Sequence, residues 1–442
     1  MQIQLSDHFD FKKLFRFTLP SVVMMVFTSI YGVVDGFFVS NFVGKTPFAA
    51  VNFIMPFLMI LGAVGFMFGT GGSALIAKTL GEGDEGKARQ MFSLFIYAGA
   101  GAGVAIGALG FVLVRPVAAW LGAEGSMLED CVLYGRITLL ALPALMLQYE
   151  FQSFFITAAK PGLGLAVTVA AGCTNMVLDA LFTAIFPWGL AGAAAATAVS
   201  QLVGGIVPLF YFGRKNKSLL RLCGTGFDGK ALLKACANGS SELMSNISMS
   251  IVSMLYNAQL IRYAGEDGIA AYGVLMYVSF VFLAMFIGYS TGVAPVVGFH
   301  YGAGSHTELR SLYRKSLAIT LTASAVMLAL AEALARPFSA VFVSYDPGLF
   351  QMTVHAFAVY SFSFLFSGLA IFGSAFFTAL NDGLTSALIS FLRTLVFQVG
   401  AVLVLPLIWG IDGVWLSIVA AEVMAALTTG AFLLGKRKKF HY

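Results

Sequence analysis

The chain has 442 residues, 59% of them apolar and 11% charged, with a formal net charge of +5 and a mean hydropathy of +0.88. No water-facing surface tolerates such a composition, so lipid is the solvent and a soluble domain of any size is excluded. The small positive balance is no signature of nucleic-acid binding, which is excluded as a function class.

Apolar stretches of about 20 residues or more recur along the whole chain, each enough to cross the hydrocarbon core as a helix. They predict helices over 11–40, 47–77, 90–113, 129–157, 162–186 and 190–212. After a basic loop, further helices are predicted over 232–263, 269–297, 308–333, 349–380, 384–408 and 414–434. The expected fold class is an all-α membrane protein of twelve transmembrane helices in two six-helix bundles. The N-lobe spans 1–213, an interlobe loop 214–231, and the C-lobe 232–442.

Basic residues gather on one side of this plan. With the N-terminus inside, Lys12, Lys13, Arg16, Lys78, Lys87, Arg89, Lys160 and Lys217 fall in or beside cytoplasmic loops, as do Arg310, Arg314, Lys315 and the run 436–439. Lys45, Arg115, Arg262 and Arg336 fall outside. Both termini are therefore expected in the cytoplasm, and the basic tail is an orientation signal. The start of the chain lacks a charged, cleavable signal layout, so the first helix is expected to stay. Cys131, Cys173, Cys223 and Cys236 follow no ligand or CxxC spacing and are expected as free thiols.

The chain repeats internally. Shifted by 221 residues, Thr70, Gly71, Gly81, Gly83 and Arg89 land on Thr291, Gly292, Gly302, Gly304 and Arg310. Arg115-Pro116 lands on Arg336-Pro337, and Trp188-Gly189 on Trp409-Gly410. Near the start the offset is 218, pairing Phe9-Asp10 and Lys12 with Phe227-Asp228 and Lys230. Six helices is an even number, so both repeats enter from the same side and are expected to be related by a pseudo-two-fold along the membrane normal. Two such lobes leave a cleft that rocking exposes alternately to each side.

Polar residues at membrane depth are costly, which makes the few that remain functional candidates. Asp35 lies in the first helix, after Pro20, a residue that can kink it. In the fifth helix Asn175 and Asp179 are four residues apart and share a face. Thr197 in the sixth helix is placed to join them. Two carboxylates, an amide and a hydroxyl suit a small hard cation, and two close carboxylates can instead share a proton. The plainer alternative is that these groups bond helices to one another.

This arrangement resembles the multidrug and toxic compound extrusion (MATE) transporters, over essentially the whole chain and most closely their prokaryotic, MepA-like members. The resemblance rests on Leu19-Pro20 through Val34-Asp35-Gly36, on Asn175-Met176-Val177-Leu178-Asp179, and on the paired loops Gly81-Glu82-Gly83 and Gly302-Ala303-Gly304. It implies a secondary antiporter of a bacterial inner membrane, monomeric and without cofactor, that exports amphipathic, often cationic compounds in exchange for Na⁺ or H⁺. Positions matching Asp35, Tyr134, Asn175, Asp179 and Thr197 would take up the coupling ion, with Na⁺ held by Asp35, Asn175, Asp179 and Thr197. Glu242 sits where the family often has an acid in the seventh helix, for substrate attraction or a second coupling site. In the tenth helix Ser367 stands where some Na⁺-coupled members carry an acid, which counts against a complete second Na⁺ site.

Weaker candidates surround these. Gln148, Glu150 and Gln152 form a polar patch in the fourth helix, with Gln152 expected to face the N-lobe cavity. Met244, Met276 and Phe280 belong to a crowd of thioethers and rings in helices seven and eight, which suits varied apolar and cationic ligands and equally suits ordinary core packing. Arg393, Glu422 and His355 are expected to form structural pairs. Gly224 to Ala231 nearly reads as a phosphate loop, but Ala231 replaces the required Ser or Thr. Five histidines without metal spacing offer no enzyme site. A lipid-linked saccharide flippase is the nearest alternative, and it calls for a cationic cavity that this sequence does not supply.

Overall fold

A computed structural model describes residues 3–216, 218–344 and 346–442, apart from the side chains at positions 33, 45 and 266. Of the basic residues counted above for orientation, Lys217 lies outside the described residues, and Lys45 is described by its backbone alone. Among the described residues there are helices and turns but no strand.

The first half comprises α1 (Phe11–Phe38), α2 (Lys45–Gly81), α3 (Glu85–Trp120), α4 (Gly125–Leu140), α5 (Leu142–Thr157), α6 (Pro161–Asp179) and α7 (Gly189–Gly213). The second comprises α8 (Gly229–Gly302), α9 (His306–Val343), α10 (Pro347–Tyr360), α11 (Ser363–Ala379), α12 (Gly383–Phe391), α13 (Gln398–Trp409) and α14 (Ile411–Gly435), closed by the short α15 (Arg437–Phe440). Helix starts follow from capping chemistry. Asp10 accepts from the Lys13 N–H at the head of α1, and its repeat partner Asp228 accepts from Lys230 and Ala231 at the head of α8.

Two expected spans prove to be bent pairs. The stretch 129–157 breaks at Ala141, where α4 meets α5 at 57°, and 349–380 breaks where α10 meets α11 at 46°. Ala141 and Phe362 are 221 residues apart, so the bend itself is repeated. Pro143 in the first turn of α5 accounts for the first break. The spans expected over 232–263 and 269–297 are the two arms of α8, whose backbone turns between them at Gly265 with φ of 61°. In a continuous helix Tyr256 and Tyr272 would lie about 24 Å apart; their rings stack at 5.3 Å, so the arms fold back on each other. Nine of the described helices are long and apolar enough to span alone, and the bent pairs make eleven. The first arm of α8 is the twelfth. Lys230, Lys234, Glu242 and a run of Ser and Asn make it the least apolar. Cys131, Cys173, Cys223 and Cys236 are free, as expected.

The halves meet where α1 and α2 pack against α8. On the face that carries the basic loops, one buried cluster runs from Phe17, Ile76 and Leu80 of the first half to Val296, Leu309 and Phe377 of the second. Away from that face the apolar core divides, with one cluster in each half. The lobes are therefore sealed at one end and parted at the other. Glycines make the seal. A Cβ on Gly81 would lie 2.0 Å from the Phe299 carbonyl oxygen, and a Cβ on Gly302 would lie 2.0 Å from that of Lys78. These are repeat partners meeting across the pseudo-two-fold. Deeper in, Gly239 sits on the Met67 carbonyl and Gly71 on that of Ala235. Small residues at such crossings let two backbones touch.

Candidate functional site

The five residues proposed for ion coupling come together. Asp35 of α1 faces Asp179 and Asn175 of α6, and Tyr134 of α4 faces Thr197 of α7. Asp179 is 0% and Asn175 2% exposed, because the α6 face they share packs inward with Thr168 and Gly172. Six buried oxygens in this group face one another without a well-formed hydrogen bond to any described residue: Asp35 Oδ1, both carboxylate oxygens of Asp179, Asn175 Oδ1, Tyr134 Oη and Thr197 Oγ1. Groups of this kind are expensive to leave unsatisfied in a low-dielectric interior. An oxygen-lined nest of that chemistry suits a hard monovalent cation or a proton.

Local backbone geometry presents Asp179. The α-helix gives way to a π-helical turn at Ala180–Ile185 directly after it, and the Thr183 hydroxyl donates to the Asp179 carbonyl at 2.6 Å. π-Turns occur frequently at functional positions because they rotate a side chain out of the helical register. No group of three or more His, Cys, Asp or Glu with metal-binding geometry occurs among the described residues.

A second feature is a cavity of about 690 Å³, lined mainly by the second half. Its size matches a drug-like organic molecule. Glu242, Gln152, Met276 and Phe280 line it, whereas Met244 does not. The Glu242 side chain makes no hydrogen bond or ion pair with a described residue, which leaves a free carboxylate in the wall. Gln152 reaches this cavity. Its helix neighbour Glu150 points elsewhere, 0% exposed and pressed on Gly99, where a Cβ would lie 1.6 Å from its Oε1.

Several lining residues were not singled out by sequence reasoning. Tyr256, Tyr272, Tyr277, Tyr360 and Phe364 give the cavity an aromatic wall, with Met25 beside them. Ring faces and thioethers accommodate flat, apolar and cationic ligands without demanding one shape. Nothing in the spacing of these tyrosines marks them, since they come from the two arms of α8 and from α10. Arg393 and Glu422 also line the cavity, and the expected structural pairing holds: Arg393 Nε donates to Glu422 Oε1 and Oε2 at 3.0 and 2.9 Å. Arg393 stands on a π-helical turn, Leu392–Phe397. His355 pairs with Asp412 at 2.8 Å, away from the cavity. Ser367 lines the cavity and donates to the Ser363 carbonyl at 2.8 Å.

Glu422 is 2% exposed, so removing only its partner leaves a buried charge uncompensated. Arg393→Gln is expected to lower stability by about 3–5 kcal/mol, and the apolar double variant Arg393→Met with Glu422→Leu to recover most of it. Thermal unfolding in detergent distinguishes these outcomes.

The nest and the cavity are separate. None of the five clustered residues lines the cavity, and a Cβ on Gly172, on the same α6 face, would lie 2.5 Å from the Phe27 ring. What links them is α1, which carries Asp35 and also contributes Met25, Thr28 and Ser29 to the cavity wall. Thr28 and Asp35 are seven residues apart, on one face and about 10 Å along the axis.

Known proteins match the chain along its length. The MatE family model matches twice, over residues 20–181 and 243–404, one copy in each half of the repeat. Multidrug export protein MepA of Staphylococcus haemolyticus (strain JCSC1435) is 24% identical over 418 residues, covering 94% of this chain and 91% of the relative. MepA of Staphylococcus aureus (strain MRSA252) is 23% identical over 419 residues, with 94% and 92% covered. An outward-facing multidrug resistance MATE family transporter of the MOP superfamily superposes with a TM-score of 0.91 at 23% identity, over 98% of this chain and 96% of that one. A MATE crystallised in complex with MaL6 also gives 0.91, at 23% identity over 98% and 97%. At such identities the superpositions establish the fold.

Proposed function

The chain belongs to the MatE family of membrane transporters, and on that premise we propose that it is a secondary antiporter, exporting amphipathic cationic compounds in exchange for Na⁺ or H⁺. The observation that carries this reading is the arrangement of two separate sites on one helix. A nest of unpartnered oxygens and a drug-sized cavity with a free carboxylate share α1, so occupancy of one changes the wall of the other.

Each group has a role in this reading. Asp35 and Asp179 receive the cation or proton, Asn175 and Thr197 complete its oxygen shell, and Tyr134 closes the nest. Arrival of positive charge draws the two carboxylates together and repositions α1, and the state that binds the ion better is thereby populated. Glu242 neutralises the cationic group of the substrate, while Met276, Phe280 and the tyrosines hold its apolar body. The lobes rock about the glycine crossing, so the cavity faces one side at a time. The function of the MepA relatives, multidrug export by name, supports a broad substrate range. We place the chain in a bacterial plasma membrane, as a monomer among lipids with both termini cytoplasmic, because the basic residues gather at the sealed end.

A lipid-linked saccharide flippase fits less well. Its pyrophosphate calls for several free cations, and Arg393, the one Lys or Arg side chain among the described residues lining the cavity, is engaged by Glu422.

Substrate recognition is tested by ethidium binding to the purified protein. Glu242→Gln is expected to weaken it about tenfold, as loss of one charge-assisted contact would, while leaving a neutral aromatic dye unaffected. Equal weakening of both ligands would show that Glu242 shapes the cavity and does not read charge.

A further inference from the structure

We propose that residues 5–9 form an interlobe strap that holds the basic-loop end of the transporter shut, and that its release is part of opening that end. The inference rests on the alternating-access reading above. The segment leads into α1, a helix of the first half, yet it is anchored on the second. His8 Nδ1 lies 2.7 Å from Glu308 Oε2, and the Phe9 N–H donates to Glu308 Oε1 at 3.0 Å. Lys315 Nζ donates to the Phe9 carbonyl at 2.5 Å. Glu308 and Lys315 both belong to α9. The Phe9 ring is 0% exposed and stands edge-on to His300 of α8, centroids 6.5 Å apart. One residue thus commits its N–H, its carbonyl and its ring to this seat, combining charge-assisted hydrogen bonds with apolar burial.

The internal repeat shows that the fold does not impose this anchoring. Asp10 and Asp228 occupy equivalent positions and perform the same task, capping α1 and α8. Their neighbours differ: Phe9 is fully buried, whereas its partner Phe227 is 87% exposed. Burial of Phe9 is a property of the first half alone.

Parting the lobes at this end carries α1 away from α9, so the strap must leave its seat. Contacts present in the closed state and lost in the open one bias the equilibrium towards closure, by the free energy they contribute in the closed state alone. Anything that withdraws residues 5–9 would therefore favour opening.

Spin labels at Lys87→Cys and Leu384→Cys, one in each half near the basic-loop face, test this in a cysteine-free background in nanodiscs. Double electron–electron resonance reads the distance between them. Phe9→Ala and Lys315→Met are each expected to enlarge the longer-distance population about tenfold, and Phe227→Ala to leave it unchanged. Lys315→Met keeps the ring packing, so its agreement with Phe9→Ala separates release of the strap from local misfolding. A longer-distance population of equal size in all these proteins would overturn the strap while leaving alternating access intact. A single short distance in every protein would remove both.

Discussion

Asp179→Asn is expected to abolish gradient-driven export, lowering it by about a hundredfold, the upper range of coupling between two sites on one protein, while ethidium binding persists. The substitution is nearly isosteric and leaves a polar group in a nest whose buried oxygens make no well-formed hydrogen bond to a described residue, so the fold should survive. What disappears is one of the two charges that make the nest respond to a cation. Asp35 faces Asp179 directly, so Asp35→Asn should have the same effect and the double variant should be no worse than either single one, as for residues that act as one unit. Efflux from proteoliposomes measures the coupling, and ethidium fluorescence of the purified protein measures binding. Additive losses would assign the two acids separate tasks.

The second large effect is expected at the glycine crossing. Gly81→Ala and Gly302→Ala each place a methyl carbon 2.0 Å from a backbone carbonyl oxygen, of Phe299 and of Lys78 respectively, far inside van der Waals contact. No rotamer relieves a clash with backbone, so the lobes must separate there. Overpacking of this kind costs about 1–3 kcal/mol or more, which in a two-state equilibrium is roughly a tenfold to hundredfold loss of the closed state. Export should fall with it. Gly101→Ala, whose new Cβ would meet nothing within 4 Å, should behave as the unsubstituted protein. Labelling of a cavity cysteine, Ser367→Cys, with an impermeant thiol reagent from each side of the membrane reports which face is open. Gly81→Ala should raise labelling from the basic-loop side; unchanged labelling would mean that the crossing is not the seal.

Much of this architecture was legible in the sequence, for identifiable reasons. Hydropathy reports the cost of leaving polar groups in lipid, so the spans and the repeat appear directly. The four-residue spacing of Asn175 and Asp179 fixes a shared face whatever the surroundings. The free carboxylate of Glu242 is conspicuous because a charge at membrane depth is rare. Tertiary encounters were less visible. The turn at Gly265 was legible as the gap between the spans expected over 232–263 and 269–297, but not which side chains of the two arms meet across it. The break between α10 and α11 has no proline to announce it, unlike its repeat at Ala141, where Pro143 follows closely. The aromatic wall depends on Tyr256 and Tyr272 meeting across the fold-back and on Tyr360 arriving from α10. Met244 shares the composition of the cavity helices yet lies on another side of α8, a distinction that composition does not carry. The burial of Phe9 and exposure of Phe227 are equally silent, since the two occupy matching positions in the repeat.

Antiport moves ion and substrate in opposite directions through one protein, so efflux of the substrate alone should drive the ion inward. Proteoliposomes loaded with ethidium, with no ion gradient imposed, would be monitored for Na⁺ and H⁺ in the lumen while ethidium leaves. An inward movement of one of these ions, rising with ethidium efflux and absent in Asp179→Asn, is the expected result. Ethidium leaving with neither ion entering would contradict antiport and reduce the protein to a facilitator with a drug-sized cavity.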